Sequence, residues 1–204
     1  MPKGSVIIVS GPSGVGKGTI VKKVVEKRND MFLSVSCTTR APREGEIHGE
    51  SYHYISVEEF KKRIDENYFL EWERYVENYY GTPMKPMLDA MEEGKSTILE
   101  IEVGGAFQAK KRYPDAKLVF VLPPSFKELK NRLETRDAGN EVALAAIEKR
   151  MNRALEEYEM IKDYDYIIVN DDLEKAIGDL ETIIDSCMLL VKNNEDEIKE
   201  IKNI

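Results

Sequence analysis

The sequence has little of what marks disulfide-rich, metal-binding and membrane proteins. Its 2 cysteines, Cys37 and Cys187, are too few for a disulfide framework and lack the spacing of metal ligands. We expect both to be reduced thiols that serve packing. No apolar run approaches the length of a membrane span, and the N-terminal residues lead into a predicted strand without a secretory signal. We therefore expect a cytoplasmic protein with no membrane partner.

Positive charge is also scarce. The 30 Lys and Arg residues are outnumbered by 38 Asp and Glu residues, and the net charge of −8 argues against nucleic acid as a partner. Several arginines nevertheless fall in two groups, Arg40 with Arg43, and Arg132 with Arg136, Arg150 and Arg153. Such clusters in an acidic chain favour local capture of a small anion, although Arg153 fits better as a solvated surface charge.

The size and composition indicate one globular unit. A chain of 204 residues, 42% hydrophobic and 33% charged, is sufficient for one α/β domain with a small inserted subdomain. No internal repeat or low-complexity linker divides it. The composition is compatible with a monomer and with a homo-oligomer.

The most informative stretch is SVIIVSGPSGVGKGT, from Ser5 to Thr19. A β-branched run predicts a buried strand, which a glycine-rich turn joins to a predicted helix extending to about Arg28. Backbone N–H groups of such a turn and the positive end of the helix dipole form a cradle for phosphates, and Lys17 reaches the β/γ oxygens. The predicted nucleotide-binding residues are Gly11, Pro12, Ser13, Gly14, Val15, Gly16, Lys17, Gly18 and Thr19. The alternative, a glycine-rich turn without a ligand, is less consistent with this order of strand, glycines and lysine.

One position departs from the usual phosphate-loop pattern. Ser or Thr ordinarily follows the lysine and contributes its hydroxyl to Mg²⁺. Here Gly18 stands at that position and Thr19 comes one residue later. Either Thr19 helps to bind phosphate, or the metal is held mostly by phosphate oxygens and water.

A second informative stretch runs from Ser36 to Tyr54. It contains two arginines, Arg40 and Arg43, with glycines, a proline and several hydroxyl side chains, so it predicts an ordered loop that leads into a small β-unit. Because guanidinium groups form bidentate pairs with phosphate, the two arginines are candidates for holding a second phosphate. The hydroxyl of Tyr52 is a candidate for the same site.

Together these stretches resemble the guanylate kinase family, P-loop enzymes that phosphorylate GMP. The motifs GPSGVGKGT, TTRAPREGE, FLEWERYVENYYGTP, ILEIEVGGA and IIVNDDL follow in family order, from Ser5 to the helix after Asn170. The resemblance implies an α/β fold with a mostly parallel core sheet flanked by helices. It also implies a single domain, with a core of 1–36, 84–135 and 156–204, a GMP-binding insertion at 37–83 and a helical lid at 136–155.

The resemblance implies a GMP site in the insertion. Positions matching the family's GMP phosphate site are Ser36, Arg40, Arg43, Tyr52 and Tyr80, those that read guanine are Glu71 and Thr82, and Glu102 matches an acidic residue near GMP and the metal. Guanine offers donors at N1 and N2, and one carboxylate accepts from both, whereas adenine has no such pair. A buried Glu71 therefore discriminates against AMP. The alternative is that Glu71 is a solvent-facing strand residue.

The resemblance also implies how ATP and Mg²⁺ are held. Catalytic positions are Lys17, Arg132, Arg136 and Arg150, and Asn170 lies by the adenine. Glu100, Glu102 and Thr19 are candidates for holding Mg²⁺ through water. The chain has Glu102, Gly104 and Asp137 where the family usually has Asp, Gln and Gly, and its lid is a few residues longer, which leaves the arginine register there open.

The remaining pattern predicts the secondary structure around these sites. Strands are expected at Met31–Ser36 and Ser96–Ile101, and capping boxes at Ser56 and Ser125 open helices. Thr82 is expected to cap the next helix with Pro83 at its first position. We expect no defined structure at the end of the charged C-terminal tail. Two other functions remain possible: a kinase for another phosphorylated acceptor, and a guanylate-kinase-like module that binds a protein ligand.

Overall fold

The computed structural model describes residues 4–43, 45–75, 77–139 and 141–202. Residues 1–3, Glu44, Val76, Asn140 and residues 203–204 at the end of the tail, which belong to stretches considered above, lie outside the described residues. In chain order the strands are β1 (Val6–Ser10), β2 (Met31–Leu33), β3 (Cys37–Thr38), β4 (His53–Tyr54), β5 (Phe69–Tyr75), β6 (Asn78–Pro83), β7 (Ser96–Glu100), β8 (Lys117–Leu122) and β9 (Tyr166–Val169). The helices are α1 (Lys17–Lys27), α2 (Val57–Asp65), α3 (Met84–Glu92), α4 (Val103–Arg112), α5 (Phe126–Arg136), α6 (Glu141–Ala145), α7 (Ile147–Tyr158), α8 (Leu173–Met188) and α9 (Glu195–Lys202).

The main sheet has the strand order β2-β7-β1-β8-β9, and all of its pairings are parallel. Its central strand β1 is buried along its whole length, because helices cover both faces of the sheet. One face packs on α1 and α8 through residues such as Val21 and Leu180, and the other packs on α4 through Ala106. The expected α/β class with a mostly parallel core sheet is confirmed. The carboxyl ends of β1 and β7 therefore open on the same edge of the sheet, where ligands bind in such folds.

A second, smaller sheet has the strand order β4-β3-β6-β5, in which β5 and β6 are antiparallel. Helix α2 covers it, and Phe60 of this helix stacks on Phe69 of β5 with ring centroids 4.4 Å apart. Buried Cys37 completes this small core. Both cysteines are free and buried, as expected.

Three details of the secondary structure differ from the sequence-based expectations. The strand expected at Met31–Ser36 ends at Leu33, because the chain then leaves the main sheet and Cys37 joins β6 of the small sheet. Helix α3 begins one residue later than expected, with Pro83 at its N-cap, since the Thr82 hydroxyl bonds to another side chain. The tail forms α9, whose first turn is acidic and whose last turn is basic, a charge order that suits the helix dipole.

The expected caps of two helices are formed. Ser56 Oγ and Ser125 Oγ accept from the backbone N–H groups of Glu59 and Glu128, each at 3.1 Å. These bonds satisfy otherwise unpaired donors at the starts of α2 and α5. Within the described ranges, no helix is both long enough and apolar enough to cross a membrane.

Candidate active site

The glycine-rich loop between β1 and α1 forms a cradle of backbone. Gly11, Gly14 and Gly16 have positive φ angles of 139°, 92° and 94°, which residues with a side chain rarely adopt. A Cβ at Gly16 would lie 2.4 Å from Asn170 Nδ2, so the loop has no room for a side chain at this point. Lys17 is only 8% exposed, and its ammonium donates to the carbonyls of Gly11 and Pro12, the latter at 3.2 Å. The loop therefore holds a buried cation next to oriented N–H groups.

Side chains from distant elements support this loop. Asn170, which follows β9, donates from Nδ2 to Val15 O at 2.7 Å. Arg132 of α5 donates to Val15 O at 3.4 Å and to Asn170 O at 3.1 Å. Its Nε also donates to Glu128 at 2.9 Å. The structure thus brings two predicted site residues, Asn170 and Arg132, to the rim of the loop.

The end of α5 and helix α7 contribute two more of the predicted arginines, Arg136 and Arg150. Arg150 of α7 donates to Ser13 Oγ at 3.1 Å and pairs with Asp137. Arg136 donates from Nε to the same carboxylate at 3.2 Å, with its side chain 49% exposed. Arg150 therefore lies at the phosphate loop, whereas Arg136 contacts Asp137, which also pairs with Arg150. Asp137 was not among the predicted site residues, although its position directly after Arg136 is a signal in the sequence.

In the loop before β4, Glu46 organises the predicted second phosphate site. Its carboxylate forms a bidentate ion pair with Arg40, with N···O distances of 2.8 and 3.0 Å. It also accepts hydrogen bonds from the backbone N–H of Arg43 at 2.7 Å and from Tyr54 OH at 2.8 Å. Arg40 lowers the pKa of Glu46 to about 2, with further lowering by the Arg43 N–H. Sequence reasoning missed Glu46, although it stands in the same motif as the arginines.

The predicted tyrosines lie beside Arg40. Its guanidinium carbon is 5.6 Å from the centroid of the Tyr52 ring, and the rings of Tyr52 and Tyr80 are 6.0 Å apart in an edge-to-face arrangement. Burial raises the pKa of Tyr52 to about 12, so its hydroxyl remains protonated and can donate. The Arg43 side chain is exposed. Arg40, Tyr52 and Tyr80 thus lie close together and offer several hydrogen-bond donors, which are the groups that an anion requires.

The predicted base-reading residues form a buried group on β5 and β6. Thr82 Oγ1 donates to Glu71 Oε1 at 2.6 Å and lies 3.3 Å from Ser36 Oγ. Glu71 is 6% exposed, so the alternative of a solvent-facing strand residue is wrong. Burial raises the pKa of Glu71 to about 7, and Glu73 adds to the rise, while the bonds from Thr82 oppose it. A Cβ on Gly105 of α4 would lie 2.6 Å from Glu71 Oε2, so this glycine leaves space for the carboxylate.

The segment from Glu100, the last residue of β7, to Gly105 connects this group with the phosphate loop. At one end, the carboxylate of Glu100 faces Gly18, and a Cβ there would lie 3.3 Å from both of its oxygens. At the other end, Gly105 adjoins Glu71. Burial raises the pKa of Glu100, while Lys17 opposes the shift and Glu102 adds to it. The two halves of the candidate site are therefore adjacent.

The donor set at this junction suits Mg²⁺. Mg²⁺ prefers oxygen ligands, retains several waters and is usually held by one or two carboxylates together with substrate phosphates. Glu100 supplies such a carboxylate beside Gly18 of the phosphate loop. Thr19, which follows Gly18, and Glu102, two residues after Glu100, are exposed. In the described part of the chain, no cluster of three or more His, Cys, Asp or Glu side chains forms a metal cage.

A parallel α/β sheet, a glycine loop with a buried lysine and arginines that face this loop define a P-loop kinase. The sequence model of the family described as Guanylate kinase matches residues 3–187. The chain is 42% identical over 200 residues to a guanylate kinase of Caldanaerobacter subterraneus subsp. tengcongensis, which covers 98% of this chain and 96% of that protein. The chain therefore belongs to the guanylate kinase family.

Further comparisons agree with this assignment. A guanylate kinase of Synechocystis sp. is 46% identical over 182 residues, covering 89% of this chain and 94% of the relative. The crystal structure of guanylate kinase from Anaplasma phagocytophilum is similar with a TM-score of 0.79 and 29% identity, over 98% of this chain and 95% of that chain.

Proposed function

We propose that this chain transfers the γ-phosphoryl group of ATP to GMP, giving ADP and GDP, as a step of purine nucleotide metabolism in the cytoplasm. Membership of the guanylate kinase family supports this reaction. The structural observation that carries the proposal is the buried pair of Glu71 and Thr82, which adjoins a segment that also touches the phosphate loop. The proximity of this buried pair to the glycine loop supports a base-reading group and a triphosphate cradle that act together.

For the donor, we assign ATP to the loop from Gly11 to Thr19. Its N–H groups and Lys17 hold the triphosphate, and the Lys17 ammonium exchanges its carbonyl partners for phosphate oxygens. Asn170, already bonded to the loop at Val15, borders the adenine. Glu100, with Glu102 and Thr19, would hold Mg²⁺ through water. When bound, this ion neutralises negative charge on the β- and γ-phosphates.

For the acceptor, we assign the segment 37–83 as the GMP-binding unit. Arg40, Arg43, Tyr52, Tyr80 and Ser36 supply donors to the GMP phosphate. Glu71 accepts from N1 and N2 of guanine, and Thr82 keeps one carboxylate oxygen in place. Since adenine has no such donor pair, AMP leaves the buried Glu71 without partners and is rejected. Glu102 lies between the two substrates.

The reaction itself requires no covalent intermediate on the protein. An oxygen of the GMP phosphate forms a bond to the γ-phosphorus of ATP, and the bond from that phosphorus to the oxygen bridging to the β-phosphate breaks in line with it. Catalysis of this type depends on positioning and on stabilisation of charge. Lys17, Arg132, Arg136 and Arg150 supply the positive charge. The segment 136–155 acts as a lid that excludes water, so that ATP is not hydrolysed.

A coupled assay of ADP release tests the proposal, with MgATP and each of GMP, AMP, CMP and UMP as acceptor. Turnover with GMP alone supports both the reaction and the role of Glu71. Equal turnover with AMP retains a P-loop kinase but contradicts the guanine assignment. No turnover with any acceptor, by a folded protein that still binds GMP, contradicts the kinase and favours a binding module.

A further inference from the structure

Arg153, on the lid helix α7, contacts the small sheet. Its Nε donates to Glu157 Oε1 at 3.0 Å, and its Nη2 lies 3.9 Å from Glu73 Oε1 on β5. Its side chain is only 34% exposed. The expectation of a solvated surface charge is therefore wrong for this arginine. It joins two parts of the chain that the proposed function assigns to the lid and to the GMP-binding unit.

The carboxylates of Glu157 and Glu73 contact this guanidinium, and the charge of Glu102 also acts on it. Glu157 is 5% exposed, and burial raises its pKa, while Arg153 opposes the shift and Glu102 adds to it. Burial acts to lower the pKa of Arg153, yet Glu157, Glu102 and Glu73 together raise it above its ordinary value. Arg153 thus offsets negative charge that would otherwise accumulate beside Glu102, at the junction of the two substrate sites.

Glu73 also lies on the same face of β5 as the base-reading Glu71, because alternate residues of a strand point to one side. A Cβ at Gly104 would lie 3.3 Å from Glu73 Oε2, so this carboxylate lies directly beside the backbone of Gly104. The pair of Arg153 and Glu73 therefore docks α7 beside the start of α4 and beside the base-reading face.

We propose that Arg153 is a positioning residue: it docks the lid helix on Glu73 and offsets the carboxylates of Glu73, Glu102 and Glu157, so that GMP binds as its phosphate anion and the lid closes over it. This role rests on the proposed function. It concerns the acceptor side, since Arg153 contacts Glu73 on β5, whereas Arg132 and Arg150 contact the phosphate loop. Loss of Arg153 is therefore expected to change the KM for GMP more than the KM for ATP.

The test compares Arg153→Gln with Arg153→Lys and with the control Lys149→Gln, an exposed cation on the same helix. For R153Q we expect the KM for GMP to rise about two- to fivefold and kcat to fall, with the KM for ATP unchanged, as for the loss of a partly exposed charge pair. R153K keeps the charge and restores part of the GMP affinity. Thermal melts establish that each variant is folded. The control K149Q is expected to leave kcat and the KM values for GMP and ATP unchanged.

A double-mutant cycle with Glu73→Gln tests the contact itself. If Arg153 acts through Glu73, R153Q raises the KM for GMP less in the E73Q background than in the wild type. Equal effects in both backgrounds, or identical kinetics of R153Q and K149Q, overturn the proposal. E73Q alone keeps the test available if R153Q does not fold, because it breaks the same contact from the sheet. A wild type without GMP kinase activity contradicts the proposed function instead, so the two failures are distinguishable.

Discussion

Thr82 Oγ1 donates a hydrogen bond of 2.6 Å to Glu71 Oε1, and both side chains are buried. Burial of a carboxylate is costly unless hydrogen bonds compensate it. Thr82 supplies one such bond, and Gly105 leaves space beside the other oxygen. The result is a carboxylate that is held in one orientation and can accept further hydrogen bonds. Such a group suits a base with two neighbouring N–H donors.

Substitution of Glu71 by Gln tests base reading. The amide keeps the size of the side chain but replaces one acceptor by a donor that opposes guanine N1–H or N2–H. We expect kcat/KM for GMP to fall about 100-fold, with the KM for ATP unchanged, because a mismatched buried polar pair costs a few kcal/mol. Steady-state kinetics with each substrate varied in turn measure this. Unaltered GMP kinetics in E71Q would exclude Glu71 from the base site.

The raised pKa of Glu71 predicts a pH dependence of stability. Below its ordinary pKa of 4.5 the group is protonated in both states, and between 4.5 and about 7 only the unfolded chain loses the proton. The contribution of Glu71 to the free energy of unfolding therefore falls over this window and is constant above it. Relative to E71Q, we expect a loss of about 3 kcal/mol in the free energy of unfolding from about pH 4 to about pH 8. Urea titrations of both proteins measure this, and parallel pH curves would contradict it.

Gly105→Ala tests the space beside the same carboxylate. The added Cβ would lie 2.6 Å from Glu71 Oε2, so the carboxylate must shift. We expect kcat/KM for GMP to fall about tenfold, because overpacking typically costs about 1–3 kcal/mol. Gly178→Ala on α8 is the matched control, since a Cβ there meets nothing within 4 Å. That variant is expected to keep its activity and to gain about 0.5–1 kcal/mol of stability, as for Gly→Ala within a helix.

Lys17→Ala tests the donor site. Removal of the buried ammonium takes away charge directed at the triphosphate, and we expect kcat to fall at least about 1,000-fold. Each of the two loop carbonyls that lose their donor costs about 1–3 kcal/mol of stability, and we expect the variant to remain folded. Circular dichroism confirms the fold, and Lys22→Ala, an exposed lysine of the same helix, is the control. Near-normal turnover of K17A would contradict the mechanism.

Glu46→Gln tests the organisation of the phosphate arginines. The carboxylate holds Arg40, the Arg43 N–H and Tyr54 OH together, and the amide weakens all of these bonds. We expect the KM for GMP to rise about tenfold while the KM for ATP is unchanged. Glu50→Gln, an exposed neighbour in the same loop, serves as the control. A change in the KM for ATP alone would contradict the assignment of this loop to GMP.

Much of the fold could be predicted because its signals are local. The β-branched run before Gly11, the glycines and Lys17 are consecutive, and each depends on backbone preferences that neighbouring residues decide. The buried strand expected at Ser96–Ile101 was found at Ser96–Glu100 for the same reason. Thr82 shows where local reasoning was wrong. As a single residue before Pro83 it predicts a helix cap, but Glu71 on the neighbouring strand takes its hydroxyl.

The sequence by itself determined the phosphate loop, the α/β class and the residue types available to bind nucleotides, since these follow from consecutive residues and short periods. Only the tertiary structure decided which polar and charged side chains from distant segments come into contact. Arg150 and Ser13, 137 positions apart, come together because α7 folds back over the loop. Arg153 likewise meets Glu73 on another element. Such pairs depend on how helices and sheets pack, and no pattern within one segment encodes that geometry.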